Sequence, residues 1–101
     1  MRAVGIDAIV VALCADFARR QSVIAARTAE HRVDMEYRYL NFKMLDAAQQ
    51  LLCERDALIM IEEIGGEIGY ARSRLVYIGE QTYKEYKRKV KDLIAVALHL
   101  K

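Results

Sequence analysis

The sequence predicts an all-α fold of four to five helices, and three observations carry that expectation. Proline is absent and glycine occurs only five times, so little in the chain interrupts a helix. Fourteen residues are alanine, the strongest helix former. The apolar residues recur every three or four positions, the period of one helix face. A hydrophobic fraction of 54% beside 30% charged residues excludes a disordered, collagen-like or mucin-like chain. The 101 residues fit one domain with one core. Its expected layout is a helical hairpin over residues 1–53, with two long helices packed near-antiparallel, and a second helical half over residues 54–101.

A first helix is predicted over residues 7–27. Ile6, Val10, Leu13, Phe17 and Ile24 share its apolar face, and Asp16, Arg19 and Arg20 form the charged one. Asp7 suits its N-cap, since a carboxylate accepts a bond from an orphan backbone N–H. Between Thr28 and Arg32 the apolar period lapses, which predicts a turn or a kink, with Thr28 or Asp34 capping a second helix.

That second helix, over residues 33–53, carries two apolar stripes. Val33, Tyr37, Leu40, Met44, Ala47 and Leu51 form the first; Met35, Phe42, Leu45 and Leu52 form a looser second. A helix apolar on two sides needs more than one neighbour, from this chain or from a second copy.

Glu54, Arg55 and Asp56 interrupt the apolar pattern, and Asp56 suits the cap of a helix over residues 57–64. Leu58-Ile59-Met60-Ile61 also has strand propensity, but no second strand is available to pair with it. Gly65 and Gly66 are expected to end this helix by supplying its left-handed C-terminal residue. A short helix over residues 67–76 and a break at Tyr77-Ile78-Gly79 lead to the last helix, residues 80–100. Tyr83, Tyr86, Val90, Leu93, Ile94 and Ala97 are its buried face.

Two cysteines, Cys14 and Cys53, are too few for a disulfide scaffold, and both are expected as buried free thiols. Arg2 followed by residues 3–15 looks superficially like a signal peptide. Asp7 breaks that run, and Leu13 stands where lipoprotein processing needs a small residue. No apolar stretch reaches the roughly 18 residues that span a bilayer, so the expectation is a soluble, cytoplasmic chain without a membrane partner.

Enzymatic signals are thin. His31 and His99 sit in no metal spacing, and His99 suits the negative end of the last helix. Glu62, Glu63 and Glu67 read as a solvated face. The glycines at 65, 66 and 69 lack the lysine and spacing of a phosphate loop, and the neighbouring glutamates would repel phosphate. No enzyme activity, metal, cofactor or small-molecule ligand is expected.

Charge is distributed unevenly. Residues 1–69 hold eight Lys+Arg against eleven Asp+Glu, a net of −3. Residues 70–101 hold eight against three, a net of +5. On the last helix Lys84, Lys87, Arg88 and Lys91 fall within about 100° of arc, forming a basic stripe. Such a stripe suits phosphates spaced along a nucleic acid.

Residues 54–98 resemble the helix-turn-helix domain of sigma factors and sigma-like prophage regulators. The matching residues are Glu54-Arg55, Leu58 to Ile61, Gly65-Gly66, Ile78-Gly79-Glu80-Gln81-Thr82-Tyr83, then Lys87-Arg88-Lys89-Val90-Lys91 and Leu93-Ile94. Arg72 and Ser73 depart from that pattern, standing where such motifs carry an apolar residue and alanine. Tyr77 takes the usual position of the turn glycine. The resemblance implies a small regulator, of the prophage or mobile-element kind, that binds duplex DNA as a homodimer. Gln81, Thr82 and Lys84 would approach base edges, and Arg72, Arg74, Lys87, Arg88 and Lys91 would contact phosphates. The competing expectation is a non-enzymatic helical homo-oligomer with a structural or interaction role.

Overall fold

A computed structural model describes residues 5–75 and 77–101. The described residues are all-helical, with five α-helices: α1 (Ile6–Ala15), α2 (Phe17–Ala26), α3 (His31–Ala48), α4 (Glu54–Gly65) and α5 (Glu80–Ala97). No strand occurs among them. Helix α3 packs against α2, α4 and α5, and α1 packs against α4 and α5, so the core lies between α1, α3, α4 and α5. Val10, Cys14, Met44, Ala47, Met60, Ile61, Ile64, Tyr83, Val90 and Ile94 fill it.

The predicted helix over residues 7–27 is two helices that part at Asp16, whose backbone closes α1 at φ −93° and ψ −1°. Gly5, not Asp7, is the N-cap. Arg20 faces inward, not on the solvated face expected for it. Only 2% of Arg20 is exposed. Its guanidinium donates to the Leu13 carbonyl at 2.7 Å and to Asn41 Oδ1 at 2.7 Å. Asn41 Nδ2 donates in turn to the Phe17 carbonyl at 3.1 Å and to Gln21 Oε1 at 2.8 Å. A buried charge without hydrogen bonds would be costly, and here side chains serve carbonyls on both sides of the kink.

Residues 27–30 form a true turn. Arg27 ends α2 in the left-handed region, at φ 56°, and Glu30 rather than Thr28 or Asp34 caps α3. Helix α4 likewise starts earlier than expected, at Glu54 with Cys53 as N-cap. Glu54 and Asp56 thereby sit in its first turn, where carboxylates face the positive end of the helix dipole.

Gly65 and Gly66 have another purpose than the one expected. Gly66 is right-handed, at φ −85°. The left-handed residue is Glu67, at φ 52°. The Ile68 N–H closes the helix end on the Glu63 carbonyl at 2.9 Å. Gly65 instead lets two helices touch. A Cβ there would lie 2.5 Å from the Ala15 backbone nitrogen and 2.6 Å from the Ala15 Cα.

The short helix expected over residues 67–76 is a single 3-10 turn, Tyr70–Arg72; its expected end at Val76 lies outside the described residues, as do Arg2 and Ala3. Buried Glu63 explains the extended backbone beyond that turn. Its carboxylate accepts from Ser73 Oγ at 2.6 Å and from the Arg74 N–H at 2.8 Å, and Leu75 is fully buried beside it.

Cys14 is buried as expected, but Cys53 is exposed because it caps α4 rather than lying inside a helix. Burial pushes the Cys14 thiol up to about 12, although Arg20 and Lys91 pull the other way. With an aromatic disulfide reagent at pH 8, one thiol is expected to react at once and the second only on unfolding. Two fast thiols would contradict this placement. Among the described residues no helix is long and apolar enough to cross a membrane.

Candidate nucleic-acid interface

Helix α5 is anchored on one side and free on the other. Tyr83, Val90, Ile94 and Ala95 are buried, while Tyr86, Leu93 and Ala97 are half-buried. The opposite face presents Gln81, Thr82, Lys84, Glu85, Arg88, Asp92 and Val96 to solvent. Helix periodicity alone is enough to place that division.

The eight candidate residues fall into two sets. Gln81 and Thr82 stand exposed in the first turn of α5, with Lys84 and Arg88 one and two turns further along. Arg72 is exposed at the end of the 3-10 turn, which packs against α5. Neither Arg72 nor Arg88 forms an ion pair among the described residues. Lys84 pairs with Glu80 at 2.9 Å, a solvated i,i+4 contact worth only about 0.3–0.5 kcal/mol that a phosphate can displace.

The second set has partners on other elements, although the Arg74–Glu62 pair is as solvated as Lys84–Glu80. Lys91 pairs with Asp7 of α1 at 2.9 Å. Arg74 pairs with Glu62, and its backbone N–H is held by Glu63. Lys87 is half-buried and donates to the Ile68 carbonyl at 2.6 Å, with its ammonium 5.8 Å from the centre of the Tyr83 ring. Burial lowers the Lys87 ammonium below the ordinary lysine range, Lys91 lowers it further, and Glu63 and Glu67 act against both. The basic stripe thus splits in two. Only its outer edge faces water.

Acidic residues share that outer face: Glu80, Glu85 and Asp92 lie among Lys84, Arg88 and Lys89. Glu85 pairs with Lys89 at 2.9 Å, and its carboxyl is held below the usual range by that contact. The exposed candidate cations without a tertiary ion pair among the described residues are therefore Lys84 and Arg88 on α5, and Arg72 on the 3-10 turn that packs against it.

Behind this surface is a polar cluster that periodicity cannot find. Tyr83 Oη donates to Glu63 Oε1 at 2.9 Å, the oxygen that also accepts from Ser73. The Tyr70 ring packs against that of Tyr83 at a tilt of 56°, with 5.5 Å between ring centres. Burial, then the bond to Glu63, pushes the Tyr83 phenol up to about 12. A spectrophotometric titration is expected to show Tyr83 still protonated at pH 11, where exposed tyrosines have ionised. Because the folded state holds this proton more tightly, the contribution is complete below pH 10 and is lost as pH rises through 12. Stability that does not fall between pH 10 and 12 would contradict the buried bond.

Among the described residues no group of histidine, cysteine and carboxylate side chains is placed to hold a metal. No family model, curated protein or solved structure matches the chain.

Proposed function

We propose that this chain is a small non-enzymatic protein that binds duplex DNA through the start of α5. The observation supporting it is the exposure of Gln81 and Thr82 in that helix's first turn, flanked by Lys84, Arg88 and Arg72. Amide and hydroxyl side chains read base edges in a major groove, and the flanking cations fix the register on phosphates. Lys87, Arg74 and Lys91 act one step back, holding α5 and its incoming connection in place. The sigma-like resemblance points the same way, with the regulator's supporting short helix replaced by the segment clamped on Glu63.

The test separates phosphate contact from base contact. Lys84→Gln with Arg88→Gln is expected to weaken binding to every duplex alike and to flatten the salt slope by about two units. Helicity should persist, since glutamine forms helix nearly as well as lysine. Gln81→Ala is expected to change preference among duplexes instead. Unaltered binding in both variants would overturn the assignment of α5.

A structural or interaction role is the second proposal, and one observation favours it: Met35, Tyr39 and Phe42 stand exposed along α3. Small domains seldom leave such a stripe open unless something covers it.

A further inference from the structure

We infer that α3 is a self-association surface that pairs antiparallel with α3 of a second copy, across a two-fold axis at Tyr39. The inference goes beyond DNA binding and stands without it. Helix α3 buries one stripe inward, through Asn41, Met44, Ala47 and Ala48. On the other side Met35, Tyr39 and Phe42 are 55%, 48% and 65% exposed. They are spaced four and three residues apart, so they form a single row along the helix.

The charges beside this row select the occupant. Arg32, Glu36 and Lys43 lie within about 40° of arc on one flank, and Asp46 extends the row itself toward the end of the helix. Glu36 and Lys43 are equally distant from the point between Tyr39 and Leu40. Arg32 and Asp46 are equally distant from Tyr39 itself. In an antiparallel pair centred within half a residue of Tyr39, Glu36 comes beside Lys43 of the second copy and Arg32 beside Asp46 of the second copy. A two-fold interface uses the same patch twice, and this patch is self-complementary in both sign and spacing. A parallel pair would put the two charged flanks on opposite sides of the seam, where Glu36 and Lys43 could not meet.

The apolar row pairs about a point between Arg38 and Tyr39, within half a residue of the axis at Tyr39. Met35 of the second copy comes level with Phe42, beside a cleft of about 370 Å³ between α2 and α3 lined by Phe17, Ile24, Arg38 and Leu45. Among the described residues Arg32 has one ion pair, with Glu30 at 3.6 Å, and Lys43 lies 5.7 Å from the Tyr39 ring centre. Neither contact would have to be lost on pairing. The charged contacts span about 21 Å of helix.

Sedimentation equilibrium with disulfide trapping tests this. The unmodified chain is expected to be dimeric at 100 µM. Glu36→Lys and Lys43→Glu should each weaken the dimer at least tenfold, and the double exchange should restore it to within about threefold. In a Cys53→Ser background, Tyr39→Cys should cross-link to itself. Met35→Cys should cross-link to Phe42→Cys in a mixture, but not to itself. A monomer at 100 µM, a double exchange that stays weak, or self-cross-linking at Met35→Cys would overturn the inference. Circular dichroism of each variant separates lost pairing from lost folding.

Discussion

Gly65→Ala is expected to cost about 3 kcal/mol, although alanine is the better helix former by about 1 kcal/mol. The added methyl would sit 2.5–2.6 Å from backbone atoms of Cys14 and Ala15, which cannot rotate away as a side chain can. Helices α1 and α4 would have to separate, loosening Val10, Cys14 and Ile64, all buried near the crossing. For a domain of this size the melting temperature should fall by roughly 12–24 °C. The neighbouring Gly66→Ala is the control. Its Cβ would meet nothing closer than 3.4 Å, and its φ of −85° suits any residue. Equal melting temperatures for the two variants would show that α1 and α4 do not touch at Gly65.

Glu63→Leu is expected to be as damaging, at about 3–5 kcal/mol. It leaves the Ser73 hydroxyl and the Arg74 N–H without their acceptor and the Tyr83 hydroxyl with only the Ile68 carbonyl at 3.4 Å, and each unsatisfied buried group costs about 1–3 kcal/mol. The loss has a local signature. Residues 73–75 should become protease-sensitive before the rest of the chain, and the Tyr83 phenol should ionise nearer the ordinary tyrosine range. Glu63→Gln keeps the shape but turns an amide N–H toward one of the three donors, so an intermediate loss is expected. A Glu63→Leu protein as stable as the parent would show that Glu63 does not clamp the connection to α5.

Periodicity reports spacing along one element, and that sets how much of the fold is legible in the sequence. The buried face of α5, the inward stripe of α3 and the all-helical class are all properties of such spacing. Arg20 reads as solvated because of its charge, although it stands three residues after Phe17 and seven after Leu13; the partners that allow its burial, the Leu13 carbonyl and Asn41, are not visible in the spacing. Gly65 reads as a left-handed residue, a role that Glu67 takes instead, because its true constraint is the backbone of another helix. Glu63 reads as a solvated charge because its partners, Ser73 and Tyr83, are ten and twenty residues away. The candidate site divides in the same way. Gln81, Thr82, Lys84 and Arg88 are exposed as an amphipathic helix requires, whereas Lys87, Arg74 and Lys91 have tertiary partners that no one-dimensional pattern reveals. Tyr39 completes the apolar row of α3, yet its spacing from Met35 and Phe42 stands out only once the inward stripe is fixed.

The most direct test of DNA binding by α5 is fluorescence anisotropy of the unmodified protein with a labelled random duplex, at 50 mM and 200 mM salt. Three phosphate contacts per chain, from Arg72, Lys84 and Arg88, predict affinity lower by roughly 40-fold at the higher salt. No measurable binding at 50 mM salt, or binding that salt leaves unchanged, would contradict that role.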